Sequence, residues 1–213
     1  MNEPETPSFA ALNPATVLTL TGLSFGVIAA VAALAGELEL GLIALVIAGL
    51  CDLFDGRVAR ALDLDDRQKE FGVHIDSLAD MASFGVVPGL LAVAASAGGL
   101  VWLAVAGAVV AALCAAMRLA HFNLSGVAET EAGPFYRGLP VTYVALVLPL
   151  AYVVARAVGE GVAGLAMVLA LFGCAALFVS EIPVRKPSGR MLIAFPILAA
   201  CVVAALLWWR LGA

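Results

Sequence analysis

An all-α integral-membrane fold is what the sequence predicts, and three observations lead there. Of 213 residues, 63% are hydrophobic and only 13% charged, where a soluble globular domain carries roughly 45–50% apolar and about 25% charged residues. That excess cannot be hidden in one small core, so the main solvent is lipid. Seven apolar runs, at about 14–35, 40–62, 71–97, 98–122, 138–158, 162–181 and 191–210, use nearly the whole chain. Only short connectors separate them, so residues 1–213 form a single membrane domain with no room for a soluble one.

Each run approaches the ~20 residues that a helix needs to cross ~30 Å of hydrocarbon. Asn13-Pro14 is a start signal for the first helix. Met1–Phe9 is acidic and lacks a basic n-region, so no cleavable leader is expected and the first span itself drives insertion. Glu37–Glu39, Asp63–Lys69, Asn123–Arg137, Glu160–Gly161 and Glu181–Arg190 supply polar connectors. Cys51, Cys114, Cys174 and Cys201 all fall in apolar stretches without CxxC spacing, and read as small buried apolar residues. Trp208 and Trp209 beside Arg210 read as an interfacial belt.

Lys and Arg set the orientation. Arg57, Arg60, Arg67 and Lys69 surround the second connector, Arg118 and Arg137 flank the fourth, and Arg185, Lys186 and Arg190 occupy the sixth. With alternating spans these regions share one side, which is expected to be cytoplasmic and to include the N-terminus. Arg156 and Arg210 fall opposite. The net charge of −5 says little about a surface here, and no nucleic-acid partner is expected.

The chemistry lies in Asp52-Leu-Phe-Asp55-Gly56-Arg57-Val-Ala59-Arg60 and in Gly72-Val-His-Ile-Asp76-Ser-Leu-Ala-Asp80. At 3.6 residues per turn, Asp52, Asp55, Gly56, Ala59 and Arg60 share one face of the second helix. Gly72, Asp76, Asp80 and Ser83 form a stripe on the third. A short connector makes these helices antiparallel neighbours, so the two acidic faces can meet. A carboxylate at the centre of a membrane helix costs roughly 2.5–3.5 kcal/mol on insertion scales, and four converging ones repel each other.

Two arginines cannot neutralise four acids, whereas hard divalent cations bind oxygen ligands readily. A two-metal carboxylate site follows, able to clamp a diphosphate and assist phosphoryl displacement. Gly56, Ala59 and Gly72 remove side-chain bulk beside it. The plainer alternative, interhelical ion pairs, finds too few bases opposite the acids. Asp63, Asp65 and Asp66 read as solvated connector charges, and His74, off the Asp76 face, as a packed or interfacial side chain.

These residues resemble the CDP-alcohol phosphotransferase signature, DxxDGxxAR followed by GxxxDxxxD, which fixes eight positions in order within 52–80. The interval from Arg60 to Gly72 is longer than is common in that pattern, a difference confined to the connector. Asp76-Ser-Leu-Ala-Asp80-Met-Ala-Ser83-Phe-Gly-Val-Val-Pro88, Arg118-Leu-Ala-His-Phe-Asn123 and Gly138-Leu-Pro140 look like the phosphatidylserine synthase branch. The resemblance covers roughly residues 14–190.

It implies a six-helix transmembrane core around a polar cavity open to the cytoplasm, usually homodimeric, with an additional C-terminal span here. It implies that Asp52, Asp55, Asp76 and Asp80 hold two divalent cations, Mg²⁺ or Mn²⁺. Gly56, Ala59, Arg60 and Gly72 would line the CDP pocket, and Asp80 would be the general base. The substrates implied are CDP-diacylglycerol and L-serine, giving phosphatidylserine and CMP at the inner or cell membrane. Recognition of the serine carboxylate calls for an arginine, for which Arg118 and Arg137 are candidates, with Asn123 as a further polar contact. Plain anchoring of those arginines at the interface is the alternative. Arg185, Lys186 and Arg190 read as topology signals or lipid-phosphate contacts.

The nearest rival keeps the chemistry and changes the acceptor, to glycerol phosphate, an inositol phosphate or another small alcohol, or changes the donor to an archaeal ether lipid. Membrane aromatic prenyltransferases also use Asp-rich diphosphate sites. They distribute two motifs over distant helix pairs, whereas here both halves lie within Asp52–Asp80. A divalent-cation transporter would carry acidic or polar residues toward the far side of the membrane. Here they gather at one end.

Overall fold

A computed structural model describes residues 12–125, 128–130, 133–185 and 191–212. The acidic stretch Met1–Phe9, Lys186 and Arg190 lie outside the described residues. Helix α1 spans Pro14–Leu34. Its start is fixed by Asn13, whose side chain accepts from the Ala15 and Thr16 amides at 3.0 and 3.1 Å, with Pro14 at the first helical position. Helix α2, Leu38–Ala61, returns antiparallel and packs along α1.

Next comes α3, Asp66–Asp80, which runs through a π-helical turn, Met81–Val86, into α4, Val87–Ala94. This span begins at Asp66, where the hydropathy pattern alone expects it near residue 71. Asp65 and Gln68 form a reciprocal capping box: Asp65 accepts the Gln68 amide at 2.7 Å, and the Gln68 side chain accepts the Asp65 amide at 3.1 Å. Asp65 is therefore a helix cap, not merely a solvated connector charge.

Helices α5 (Leu100–Ser125), α6 (Val144–Val158, entered through the 3-10 turn Val141–Tyr143), α7 (Ala163–Phe178) and α8 (Met191–Gly212) complete the chain. All seven expected spans are helical. Pro14–Leu34, Asp66–Ala94, Leu100–Leu124, Val141–Val158 and Leu192–Gly212 are long and apolar enough to cross a membrane. Of the other two, α7 is shorter, and α2 carries Glu39, Asp52, Asp55, Arg57 and Arg60.

The connectors hold a feature that hydropathy does not show, a small antiparallel sheet of β1 (Ala128–Thr130), β2 (Gly133–Arg137) and β3 (Pro183–Arg185) in that order. It ties the segment before α6 to the segment after α7. Two further bonds reinforce the tie, from the Gly138 amide to Ile182 at 2.8 Å and from the Leu139 amide to Leu177 at 3.0 Å.

The core is built where α1, α2 and α4 meet α5, α6 and α7, and its fully buried side chains include Leu42, Leu45, Leu91, Leu148, Leu171 and Phe178. Helix α8 docks on this core against α2 and α6, burying Leu206. Large apolar side chains such as Trp102, Leu113, Leu169 and Trp208 point outward, as a lipid-facing surface requires. Cys201 is exposed on that surface instead of buried, while Cys174 is buried and all four cysteines are free.

The connectors after α2, α5 and α7 lie at one end of the bundle. At the other end the Arg210 guanidinium pairs with Glu37 and the Tyr152 hydroxyl donates to Glu39.

Candidate active site

Helix α1 packs along both α2 and α3, which touch each other little, so the two acidic faces converge beside α1 and not through the direct helix pairing that the short connector predicts. Asp52, Asp76 and Asp80 each present a ligand oxygen, and these oxygens all lie within 4.8 Å of one another. The ion pairs seen among the described residues, Lys69–Asp66 and Arg210–Glu37, lie elsewhere. Three converging carboxylates with no ion-pair partner among the described residues form an oxygen donor set suited to a hard divalent cation. Asp55 belongs to the same cavity but stands outside this trio. It is buried, and its Oδ2 accepts a hydrogen bond from the Thr19 hydroxyl of α1 at 2.7 Å.

Asp52, Asp55 and Asp76 border a cavity of about 510 Å³ between α2, the start of α6 and the start of α8. Its polar lining is made by Asp52, Asp55, Arg57, Arg60 and Asp76, with Gly56 among them. The same lining includes Thr142 and Tyr143 and apolar side chains from α2, α6 and α8, among them Leu50, Leu146, Leu192, Phe195 and Ala199. Thr142 stands within hydrogen-bonding reach of Asp52, and the Tyr143 and Phe195 rings meet edge-on with centroids 5.2 Å apart. The cavity thus offers both groups matched to phosphate and cation and apolar surface matched to hydrocarbon.

Behind the carboxylates, a second space of only about 10 Å³ is lined by Thr19, Asp52, Asp55, Asp80 and Ser83. Ser83 sits in the π turn that follows Asp80. Gly26 of α1 faces it so closely that a Cβ there would lie 2.4 Å from the Ser83 hydroxyl oxygen.

Other expected site residues fall differently. Gly56 and Arg60 line the cavity, but Ala59 and Gly72 do not, and Gly72 faces open space. Arg118 is buried and donates to the Gly138 carbonyl at 3.3 Å, bracing the turn before α6. Asn123 donates to Ser77 at 2.8 Å across α5 and α3, one residue beyond the cavity-lining Phe122. Arg137 ends β2 opposite Pro183, and its side chain lies outside the described part of the structure. His74 is exposed, in keeping with an interfacial side chain.

Sequence reasoning missed Thr19, Thr142, Tyr143 and Phe195. A signal was available for the first, since Thr16, Thr19, Gly22 and Gly26 repeat at helical spacing and are all buried on α1. Thr142 follows the Gly138-Leu-Pro140 stretch directly. Nothing local marks Phe195, which is one apolar residue among many.

Comparison with known proteins agrees with this geometry. The CDP-alcohol phosphatidyltransferase family matches residues 12–180. A CDP-diacylglycerol–serine O-phosphatidyltransferase of Mycobacterium tuberculosis (strain ATCC 25618 / H37Rv) is 30% identical over 205 residues, covering 90% of this chain and 70% of that protein. An archaetidylserine synthase of Methanothermobacter thermautotrophicus is 32% identical over 152 residues, covering 71% of this chain and 62% of its own. The Saccharomyces cerevisiae CDP-diacylglycerol–serine O-phosphatidyltransferase is 38% identical over 118 residues, covering 52% and 41%. With the acidic signature held together on α2 and α3 and the match running through most of the bundle, the chain is a member of the CDP-alcohol phosphatidyltransferase family.

Proposed function

We propose that this protein transfers the phosphatidyl group of CDP-diacylglycerol to the hydroxyl of L-serine, giving phosphatidylserine and CMP. The observation that carries the reading is the trio Asp52, Asp76 and Asp80, beside a cavity whose lining is part polar and part apolar. With Asp55, these carboxylates would hold two divalent cations, Mg²⁺ or Mn²⁺. Bound there, the ions would neutralise the diphosphate and the charge that develops during in-line displacement.

The protein's own groups supply the rest. Arg60 and the backbone at Gly56 receive the CDP phosphates, with Ala59 and Gly72 flanking them, and the apolar part of the lining receives the first part of the lipid chains. Asp80, buried at the back of the cluster, takes the proton from the acceptor hydroxyl. The acceptor oxygen then bonds to the lipid-bearing phosphorus as the bond to CMP breaks. Arg118, Asn123 and Arg137 form the proposed acceptor side, where a guanidinium can grip the serine carboxylate.

Serine as acceptor is supported by the names of the bacterial and yeast relatives. The archaeal relative supports a second reading, the same transfer from an ether-lipid donor. The basic residues gathered at the site end of the bundle support a cytoplasm-facing cavity under the positive-inside rule, and a homodimer is the proposed assembly.

The test is CMP release by purified protein in detergent, with CDP-diacylglycerol and Mn²⁺ or Mg²⁺, with and without L-serine. Serine-dependent release that EDTA abolishes and either cation restores is expected. Release only with glycerol 3-phosphate or another alcohol would overturn the serine assignment while leaving the transfer chemistry intact. Cation flux in liposomes without CMP release from any alcohol would sink the enzymatic reading.

A further inference from the structure

Helix α1 contributes to the acidic site through one hydrogen bond whose partners are 36 residues apart. The Thr19 hydroxyl donates to Asp55 Oδ2 at 2.7 Å, and both residues are more than nine-tenths buried, at 8% and 6% exposure. The Ala15 carbonyl, one turn back on α1, lies 3.2 Å from the same hydroxyl. It offers a competing acceptor within the helix and helps to fix the threonine rotamer.

Asp55 needs such a restraint more than its neighbours do. Asp52, Asp76 and Asp80 constrain one another within 4.8 Å, whereas Asp55 stands apart and can turn away from them. A carboxylate has about four lone-pair sites, so one hydroxyl can orient it and leave acceptor capacity for a cation. Ser83 adds an independent observation on the same side. Ser83 is 2% exposed, and its hydroxyl has no hydrogen-bond partner among the described residues and borders the small space shared by Thr19, Asp52, Asp55 and Asp80. The acids are therefore backed by a polar layer, of which Thr19 is the member that touches a carboxylate.

We propose that Thr19 is a positioning residue of the acidic site, holding Asp55 in the orientation in which it shares a divalent cation with Asp52. The inference rests on the metal reading above. A partner that orients a metal ligand typically changes metal affinity or activity 10–100-fold when removed. A threonine that merely clamps α1 to α2 would change stability and leave affinity alone.

Full-length protein in detergent, without either substrate, separates the two roles. Mn²⁺ binding is followed by the EPR signal of the free ion, beside the melting temperature of the metal-free protein. Thr19→Val keeps the shape and removes the donor, and is expected to weaken Mn²⁺ binding by about 10- to 100-fold. Thr19→Ser keeps the donor and is expected to restore it. Should Thr19→Val fail to fold, Thr19→Ala, which adds no bulk, carries the same comparison.

Wild-type affinity in the donor-free variant, or equal losses in the valine and serine variants, would overturn the positioning role. Absence of Mn²⁺ binding by the wild type would instead overturn the metal reading, and with it this one. The two failures differ in the protein that shows them.

Discussion

A carboxylate in a membrane helix persists only where its surroundings compensate its charge, and in this protein the compensation is assembled from several helices. Asp52 has Thr142 from the turn before α6, Asp55 has Thr19 from α1, and Asp76 and Asp80 come from the facing α3. Asp80→Asn keeps the volume and removes both the charge and the proton acceptor. It is expected to abolish CMP release, by at least the 10²–10⁴-fold that general-base removal costs, with little change in detergent melting temperature. Gly26 works at the same scale through space instead of charge. Gly26→Ala puts a Cβ 2.4 Å from the Ser83 hydroxyl oxygen, so α1 or the π turn must shift. A loss of about 1–3 kcal/mol is expected, read as a lower melting temperature together with weaker CMP release.

At the scale of elements, the cap that starts α3 and the turn that starts α6 each fix where a functional residue sits. Removing the capping box with Asp65→Ala is expected to cost about 1 kcal/mol, visible as a lower melting temperature. Because Asp76 and Asp80 lie further along the helix, CMP release at saturating substrate should be nearly unchanged. Gly138 has φ +81, and a Cβ there would lie 2.5 Å from the Ser180 carbonyl oxygen. Only glycine fits both that conformation and that space. Gly138→Ala is expected to displace the turn that carries Thr142, lowering both melting temperature and activity. Helix α8 lies beyond the residues matched to the family, yet Leu192, Phe195 and Ala199 complete the cavity wall. Phe195→Ala is expected to raise the KM for CDP-diacylglycerol several-fold with a smaller effect on kcat, as loss of uniform binding would.

Considered whole, successive helices of the bundle alternate in direction, so the termini of α1, α2, α3, α5, α6, α7 and α8 nearest the site share one end. Polar contacts also close the opposite end, through Arg210 with Glu37 and Tyr152 with Glu39. If the site end is cytoplasmic, impermeant maleimide should label Gly161→Cys on intact cells and Asp63→Cys only after permeabilisation, in a background with the four native cysteines replaced by alanine. The reverse pattern would invert the orientation.

Composition and hydropathy by themselves determined that the chain is a helical membrane protein and where its seven apolar helices lie, because burial in lipid acts on long averages that local detail cannot reverse. Helical phase likewise determined that Asp52 and Asp55 share one face and Asp76 and Asp80 another, since the period of a helix is a property of the backbone. Only the tertiary structure decided which residues meet across helices. Thr19 reaching Asp55, Thr142 reaching Asp52, and Arg118 reaching Gly138 are contacts between residues far apart in the chain, and in lipid no polarity pattern announces which neighbour a helix will choose. The same holds for the strands that link the ends of α5 and α7, and for Phe195. Its apolar side chain suits lipid and cavity equally well, and the packing of α8 against α2 and α6 decides between them.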